Sequence, residues 1–293
     1  MTFYEIEFPL ATLSSDAVEE ALLEVGASSI TFVDRGDEPV LEPKPGEVRL
    51  WSDTLVRALF QQSSDAAVNL NRLATTLGSH VTQTARVRAV KDQVWERAWL
   101  TDWKSLRFGR RLWVCPRASE APADKEAVVV RLDPGLAFGT GTHPTTALCL
   151  QILDSLALGG RTVLDYGCGS GILGIAALKL GASHVVAVDL DPQALMATRD
   201  NAARNGVAAN ITVQGIDVPL TSAHCVVANI LAGPLIELAP KLTVACESGG
   251  HLLLSGLLKT QAYSVKAAYA SGFDMVQVVE RDEWCCIYAR RVS

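Results

Sequence analysis

The stretch from Val163 to Asp189, VLDYGCGSGILGIAALKLGASHVVAVD, constrains the fold of this chain more than any other. An apolar strand runs to Asp165 and into a glycine turn at residues 167–171, and a helix with apolar residues at helical spacing follows. A second apolar strand ends on Asp189, about 20 residues after the turn. The glycines let the backbone bend sharply and approach a ligand closely. This layout predicts a nucleoside-binding crossover in a parallel sheet, with Asp189 accepting hydrogen bonds from both ribose hydroxyls.

The length of 293 residues suits one medium domain and a smaller one. With 49% hydrophobic and 20% charged residues, the chain can bury a sizeable core and does not have the composition of a disordered protein. The net charge of −6 argues weakly against general nucleic-acid binding, which needs a basic surface. We therefore expect no direct binding to nucleic acid.

Targeting signals and metal-binding patterns are both missing from the sequence. The uncharged run Val218–Ile236 is interrupted by prolines, a histidine, an asparagine and a glycine, so it does not predict a membrane span. The N-terminal residues MTFYEIEFPL lack the basic and long apolar regions of a secretory signal. Seven cysteines without a CxxC pair indicate reduced, buried thiols, and the five histidines are isolated. We expect a cytoplasmic protein with no metal site.

Residues 1–90 are predicted to form a separate unit. Alternating apolar residues predict strands at its start and at Ser29–Val33, with a helix between them. After a proline-rich loop, a strand is predicted around Val48 and Leu50, helices at Thr54–Phe60 and Ala66–Leu77, and a strand at Val81–Val90. This order predicts an α+β, ferredoxin-like domain. Because nothing in it resembles catalytic chemistry, we interpret it as a substrate-recognition domain.

Residues 91–105 are predicted to be a linker helix between this domain and a second one at 106–293. Trp95, Trp99 and Trp103 recur every four residues and therefore share one helical face. A helix that packs this aromatic face on a domain is the favoured interpretation, and a platform for a partner is the alternative.

The segment DPGLAFGTGTHPTT, residues 133–146, is too rich in glycine, proline and threonine to be a regular element. It leads into an apolar helix, so it is a candidate cofactor clamp. After Asp189, strands and helices alternate, which predicts a mainly parallel sheet, and the last strand pair has no helix between its members. One of the alternating strands, residues 225–228, ends on Asn229. The predicted class is therefore α/β, with an antiparallel end to the sheet.

The ligand is not decided by the glycines, because Gly169-x-Gly171-x-x-Gly174 also fits a dinucleotide site. Asp165 would repel a pyrophosphate next to the turn, whereas it would favour the ammonium and sulfonium of S-adenosylmethionine. Asn229 stands at the carboxyl end of a strand, where open α/β sheets bind ligands. The closing strand pair also suits a methyltransferase sheet. These three features favour a methyl donor over NAD.

The asparagine and the acid–glycine pattern together resemble a class I methyltransferase, a Rossmann-like fold with a seven-stranded, mostly parallel sheet. The longer strings DPGLAFGTGTHPTT, VLDYGCGSGILGIAALKLGA and VVANILAGPL resemble the bacterial methyltransferases of large-subunit ribosomal protein eleven. SSITFVD (28–34) and RLWVCP (111–116) extend the resemblance to nearly the whole chain. It implies S-adenosylmethionine as cofactor, that ribosomal protein as substrate, and methylation of its lysine ε-amines and N-terminal α-amine.

The resemblance also assigns roles to individual residues. Asn229 matches the asparagine beside the methyl group, which we predict to be the catalytic residue that aligns the amine. The positions expected to bind the cofactor are Phe138, Gly139, Thr140, Thr146, Asp165, Gly167, Gly169, Asp189 and Asn229, with Asp217 a candidate for the adenine. No side chain stands out as a general base, although His143 is near the loop. The alternatives are a methyltransferase of another protein or a small amine, an NAD-dependent oxidoreductase, and a catalytically silent binding protein.

Overall fold

The computed structural model describes residues 3–36, 50–61, 65–90, 104–120, 122–132 and 142–292. The chain divides into two compact units, Met1–Ala98 and Trp99–Ser293. The predicted linker helix at 91–105, with its three tryptophans, lies outside the described residues except for positions 104 and 105. None of the helices in the described ranges is long and apolar enough to cross a membrane.

The first unit is a four-stranded antiparallel sheet with helices in the order β-α-β-β-α-α-β. Its strands lie in the order β2-β3-β1-β4, so the two strands of each β-α-β half are separated by a strand of the other half. The rings of Tyr4 and Phe60 stack with centroids 5.3 Å apart in its core. The elements are β1 (Phe3–Pro9), α1 (Ser15–Glu24), β2 (Ser29–Asp34), β3 (Thr54–Gln61), α2 (Ala66–Leu77), α3 (His80–Thr84) and β4 (Arg86–Val90).

Two local predictions in this unit were wrong. Thr54–Phe60, predicted as a helix, is strand β3, which pairs with both β1 and β2. A short apolar run carries no periodicity that separates helix from strand, and pairing on both sides decides for the strand. Residues 81–84, predicted as the start of a strand, belong to helix α3, where Thr82 and Thr84 donate hydroxyl hydrogen bonds to backbone carbonyls one turn earlier.

The second unit contains a seven-stranded sheet and a separate three-stranded sheet. The small sheet consists of β5 (Leu106–Phe108), β6 (Leu112–Cys115) and β7 (Val128–Arg131). The remaining strands are β8 (Thr162–Tyr166), β9 (His184–Asp189), β10 (Ile211–Gly215), β11 (Ala223–Asn229), β12 (Cys246–Leu258), β13 (Phe273–Arg281) and β14 (Trp284–Arg291). The helices are α4 (Pro144–Ser155), α5 (Ile172–Lys179), α6 (Pro192–Arg204), α7 (Ala232–Glu237), α8 (Ala239–Ala245) and α9 (Ala262–Tyr269).

The large sheet has the strand order β10-β9-β8-β11-β12-β14-β13. Its first five strands are parallel, and β14 pairs antiparallel with both β12 and β13, which confirms the predicted antiparallel end. The chain moves outward from β8 to β10 and then returns to place β11 on the other side of β8. The order therefore reverses between β8 and β11, and ligands bind at the carboxyl ends of strands at such a point.

Both faces of the large sheet are covered. Neighbouring residues of β8 belong to different apolar clusters, Val163 to one and Leu164 to the other, because strand side chains alternate between faces. Helices α4 and α5 pack in the first cluster, and α7, α8 and α9 pack in the second. Burial on both sides explains why the central strands are nearly continuous apolar runs.

Candidate active site

A cavity of about 400 Å³ opens where the strand order reverses, a volume within the range of small-molecule sites. It is bounded by the turn after β8, the ends of β9 and β11, and the first turn of α4. Its lining is mainly apolar with a few polar groups, and consists of Thr146, Tyr166, Gly167, Cys168, Gly169, Ile172, Leu173, Asp189, Leu190, Ile216, Asn229, Ile230, Leu231, Pro234 and Leu238.

Strand β9 holds the glycine turn from one side. The amides of Gly167 and Cys168 both donate to the carbonyl oxygen of Val188, at 2.8 and 3.1 Å. Asp189 follows and accepts the Gly169 amide at 2.9 Å through Oδ2, while its Oδ1 accepts the Asp191 amide at 3.0 Å. Each carboxylate oxygen retains a further lone pair. Asp189 therefore fixes the turn and still has capacity to accept hydroxyl donors from the cavity.

Gly167 must be glycine for two reasons. Its φ of +75° lies in the left-handed region, which residues with a Cβ rarely adopt. A Cβ at this position would also overlap the Cγ2 methyl of Ile230, directly after β11. The turn after β8 and the segment after β11 are thus packed against each other at the closest approach that a backbone without a side chain allows.

Helix α6 holds the turn from the other side, through two residues that the sequence analysis missed. Thr198 Oγ1 donates to the carbonyl of Gly169 at 3.0 Å, and Asn201 Nδ2 donates to the carbonyl of Ser170 at 2.9 Å. Both side chains are buried. They lie three residues apart and so share one helical face. The sequence signal that could have identified these two residues was a pair of hydrogen-bonding side chains on the buried face of a helix.

Asn229 and Thr146 form one hydrogen-bonded pair across the cavity wall. Asn229 Nδ2 donates to Thr146 Oγ1 at 3.2 Å. Thr146 is fully buried in the first turn of α4, so its hydroxyl is held in place. The amide nitrogen of Asn229 is engaged as a donor to Thr146. The side-chain carbonyl oxygen of Asn229 is the atom that could accept a hydrogen bond from a ligand.

Asp165 has a different environment from the one predicted. It is fully buried, is not among the residues that line the cavity, and accepts the Gly174 amide at 2.8 Å through Oδ2. Its Oδ1 has no hydrogen-bond partner in the described part of the chain. The pKa of Asp165 is raised to about 7, mainly by burial; the hydrogen bond from the Gly174 amide opposes this rise, and the nearby charge of Asp189 adds to it. Near neutral pH it is therefore not the fully charged carboxylate that the sequence predicted.

Comparisons with known proteins identify the family. The sequence profile described as "Ribosomal protein L11 methyltransferase (PrmA)" matches residues 2–292. The chain belongs to the ribosomal protein L11 methyltransferase family. The relative from Sodalis glossinidius (strain morsitans) is 51% identical over 99% of this chain and 100% of its own length, and that from Escherichia coli (strain SMS-3-5 / SECEC) is 50% identical over the same shares. Both carry the name "Ribosomal protein L11 methyltransferase".

A solved structure supports the same assignment. The crystal structure of a ribosomal protein L11 methylase from Lactobacillus delbrueckii subsp. bulgaricus is 32% identical and superposes with a TM-score of 0.59. It covers 65% of this chain and all of the other. Membership of the L11 methyltransferase family confirms the predicted resemblance, the class I fold and the enzyme class, an S-adenosylmethionine-dependent protein methyltransferase.

Within this family assignment, the structure brings together half of the predicted cofactor-binding positions. Those that line the cavity are Thr146, Gly167, Gly169, Asp189 and Asn229. Phe138, Gly139 and Thr140 lie outside the described residues. Asp217 is exposed and does not line the cavity, whereas its neighbour Ile216 does. Ile216 and Leu190, both missed by the sequence analysis, supply apolar wall on the side of Asp189.

His143 is tied into the start of α4. Its Nδ1 lies 2.7 Å from Thr145 Oγ1, and its ring meets that of Trp284 edge-on at 4.8 Å. Burial lowers the pKa of His143 below its usual 6.5 and so favours the neutral ring. His143 is the N-terminal cap of α4, and it does not line the cavity.

Proposed function

We propose that this chain transfers methyl groups from S-adenosylmethionine to lysine ε-amines and to the N-terminal α-amine of ribosomal protein L11. The observation that carries the proposal is the orientation of Asn229, whose amide nitrogen is engaged by Thr146. Asn229 lines the cavity, and its side-chain carbonyl oxygen would be the acceptor available to an amine N–H there. The relatives at about half identity carry the name "Ribosomal protein L11 methyltransferase" over their full length, which supports the protein substrate.

The residues around the cavity fit the cofactor. Asp189 would accept the ribose hydroxyls while it keeps its bonds to the turn, and Gly167 and Gly169 allow the backbone to lie against the ligand. Ile216 and Leu190 offer apolar contact to a base. When bound, S-adenosylmethionine supplies a methyl group on a positively charged sulfur.

The amine must be neutral before it can attack. A lysine with a pKa of about 10.4 is neutral about once in 2,500 molecules at pH 7, a cost of about 4.6 kcal/mol, and an N-terminal amine costs about 1–1.5 kcal/mol. Leu231 and Pro234 line the cavity beyond Asn229, and apolar surroundings lower the pKa of an entering amine by removing water. The Asn229 carbonyl then accepts an amine N–H and so aims the lone pair. His143 caps a helix, and we assign the proton that leaves to water.

The test is direct methylation. Purified ribosomal protein L11 is incubated with the enzyme and isotope-labelled S-adenosylmethionine, and mass spectrometry maps the labelled amines. We expect label on lysine side chains and on the N-terminus. Absence of label on this protein, with label on another protein or a small amine, would reject the proposed substrate and keep the chemistry.

The substitution Asn229→Ala tests whether Asn229 aligns the attacking amine. We expect turnover to fall on the order of 100-fold because the amine loses its orientation, with the fold retained. Asn210→Ala is the matched control, since Asn210 is exposed and donates to the Ser183 carbonyl rather than lining the cavity. Equal turnover of the Asn229 variant and the control would remove Asn229 from the mechanism.

We place substrate selection in the first unit and the whole activity in the cytoplasm. Every described residue that lines the cavity belongs to the second unit, which supports a role for the first unit in substrate selection. All seven cysteines are free and buried, as expected for a protein of a reducing compartment.

A further inference from the structure

Strand β12 has an irregularity where it runs beside the end of β11. Ser255 of β12 lies opposite Asn229 in the parallel pairing of these two strands. On the other side of β12, the four residues 254–257 pair with only the three residues 285–287 of β14. One extra residue in one strand of an antiparallel pair is a β-bulge, a feature that is common next to active sites, where it re-aims nearby groups.

The bulge is fitted closely to the backbone that follows Asn229. Gly256 has a φ of +83°, in the left-handed region that glycine adopts without strain. A Cβ at Gly256 would overlap the carbonyl group of Ile230, the residue directly after Asn229. The amide of Ile230 in turn donates to the carbonyl of Ser255 at 3.1 Å. The bulge therefore fixes the peptide that leaves Asn229, by contact and by a hydrogen bond.

The side chain of Ser255 reaches a different part of the site. It is fully buried and does not line the cavity. Its Oγ donates to the carbonyl of Cys285 at 2.9 Å and lies 3.4 Å from the carbonyl of Thr145, the residue before Thr146. A buried hydroxyl is costly unless it is hydrogen-bonded, and these two carbonyls meet that requirement. The hydroxyl thus links β12 to the first turn of α4.

Ser255 consequently contacts the neighbours of both members of the Asn229–Thr146 pair. We propose that Ser255, held by the bulge at Gly256, is a positioning residue that orients Asn229 for methyl transfer. It acts through the pair and does not touch the ligand, and a small displacement of an aligning group is enough to slow a reaction. The inference rests on the proposed role of Asn229 as the residue that aligns the amine.

The test in the full-length enzyme is Ser255→Ala, which removes the hydroxyl and keeps the backbone bond to Ile230. Methylation of ribosomal protein L11 is measured with isotope-labelled S-adenosylmethionine at varied concentrations of both substrates. We expect kcat to fall about tenfold and KM for S-adenosylmethionine to stay within about twofold of wild type. The matched control is Ser155→Ala, because the exposed Ser155 also donates its hydroxyl to a carbonyl, that of Ile152 at 2.7 Å, at the far end of α4.

NMR provides a readout that needs no substrate. The side-chain amide resonances of Asn229 are identified by their absence from the spectrum of Asn229→Ala. We expect these resonances to shift in Ser255→Ala and to stay in place in Ser155→Ala. A loss of stability that leaves Asn229 in its position would not move them.

The inference about Ser255 is overturned if kcat of Ser255→Ala equals that of wild type or if the Asn229 resonances do not move. It is also overturned if Ser155→Ala lowers kcat as much. Failure of the proposed function looks different, because the wild-type enzyme would then label another amine in place of ribosomal protein L11. The ratio of kcat values between wild type and Ser255→Ala is in that case measured on the labelled amine.

Discussion

Replacing Asp165 with asparagine separates the charge of this residue from its shape. The asparagine keeps the size of the side chain, and its Oδ1 can accept the Gly174 amide that Asp165 Oδ2 accepts at 2.8 Å. The substitution therefore removes the titration and little else. Because Asp165 is fully buried, the titration itself is a large term in the stability of the catalytic unit.

The size of that term follows from the pKa of Asp165. Burial raises it from 3.8 to about 7 in the folded protein, so between these values the folded state holds a proton that the unfolded state has lost. Stability from this group is therefore full below about pH 4, falls as the pH rises towards 7, and stays constant above it. At about 1.4 kcal/mol per pH unit, the wild type should lose about 3 kcal/mol between about pH 5 and about pH 8 that the Asp165→Asn variant does not lose.

Urea denaturation of both proteins without cofactor, at steps between about pH 5 and about pH 8, measures this difference. All other titrating groups are common to the two proteins, so their contributions cancel when the stabilities are subtracted. The stability of the variant relative to wild type should rise with pH and level off above about pH 7. A ¹³C NMR titration of the Asp165 carboxyl should show the same midpoint. Parallel stability curves, or a variant that loses stability relative to wild type as the pH rises, would refute the reasoning.

Three further changes test the site. Thr146→Val should lower turnover about tenfold because the Asn229 amide loses its acceptor, whereas Thr146→Ser should retain it; equal kcat values for the two variants would contradict this pairing. Gly167→Ala should destabilise the unit by at least about 1–2 kcal/mol through its left-handed backbone and should weaken cofactor binding measured by calorimetry. Adding Ile230→Ala should restore part of both losses, and no restoration would show that the overlap is unimportant. Deleting residues 1–90 should abolish methylation of ribosomal protein L11 while S-adenosylmethionine still binds; full methylation by the shortened chain would place recognition in the catalytic unit.

The parts of the fold that the sequence predicted correctly are those with long, strongly patterned segments. The unit from Val163 to Asp189 combines two apolar strands, a glycine turn and an apolar helix, and the structure has these elements at these places. Thr54–Gln61 shows the limit, because eight residues with apolar side chains at most positions fit a helix as well as a strand. Pairing with the neighbouring strands β1 and β2 is what selects a strand over a helix, and the local sequence carries no information about that pairing.

Site residues could be predicted where the backbone geometry demands a residue type. They were harder to predict where the role of a residue depends on how deeply it is buried in the fold. Gly167 and Asp189 are required by the turn itself, and both line the cavity. Asp165 directly precedes that turn, yet its charge depends on its depth below the surface, which the motif does not encode. Thr198 and Asn201 are distant in sequence from the backbone that they hold and look like ordinary helix residues until the helix is packed.

The contact between Asn229 and Thr146 changes how two of the sequence motifs are understood. VVANILAGPL and the end of DPGLAFGTGTHPTT look like separate signals, one beside the reacting methyl group and one above the cofactor. In the fold, the threonine that ends the second motif is the acceptor that orients the asparagine of the first, across 83 residues of chain. Thr146 is buried and Asn229 lines the cavity, so the fixed partner sets the position of the one that borders the cavity. The two motifs are therefore one structural unit, and under the proposed function a change in either should disturb the alignment of the amine.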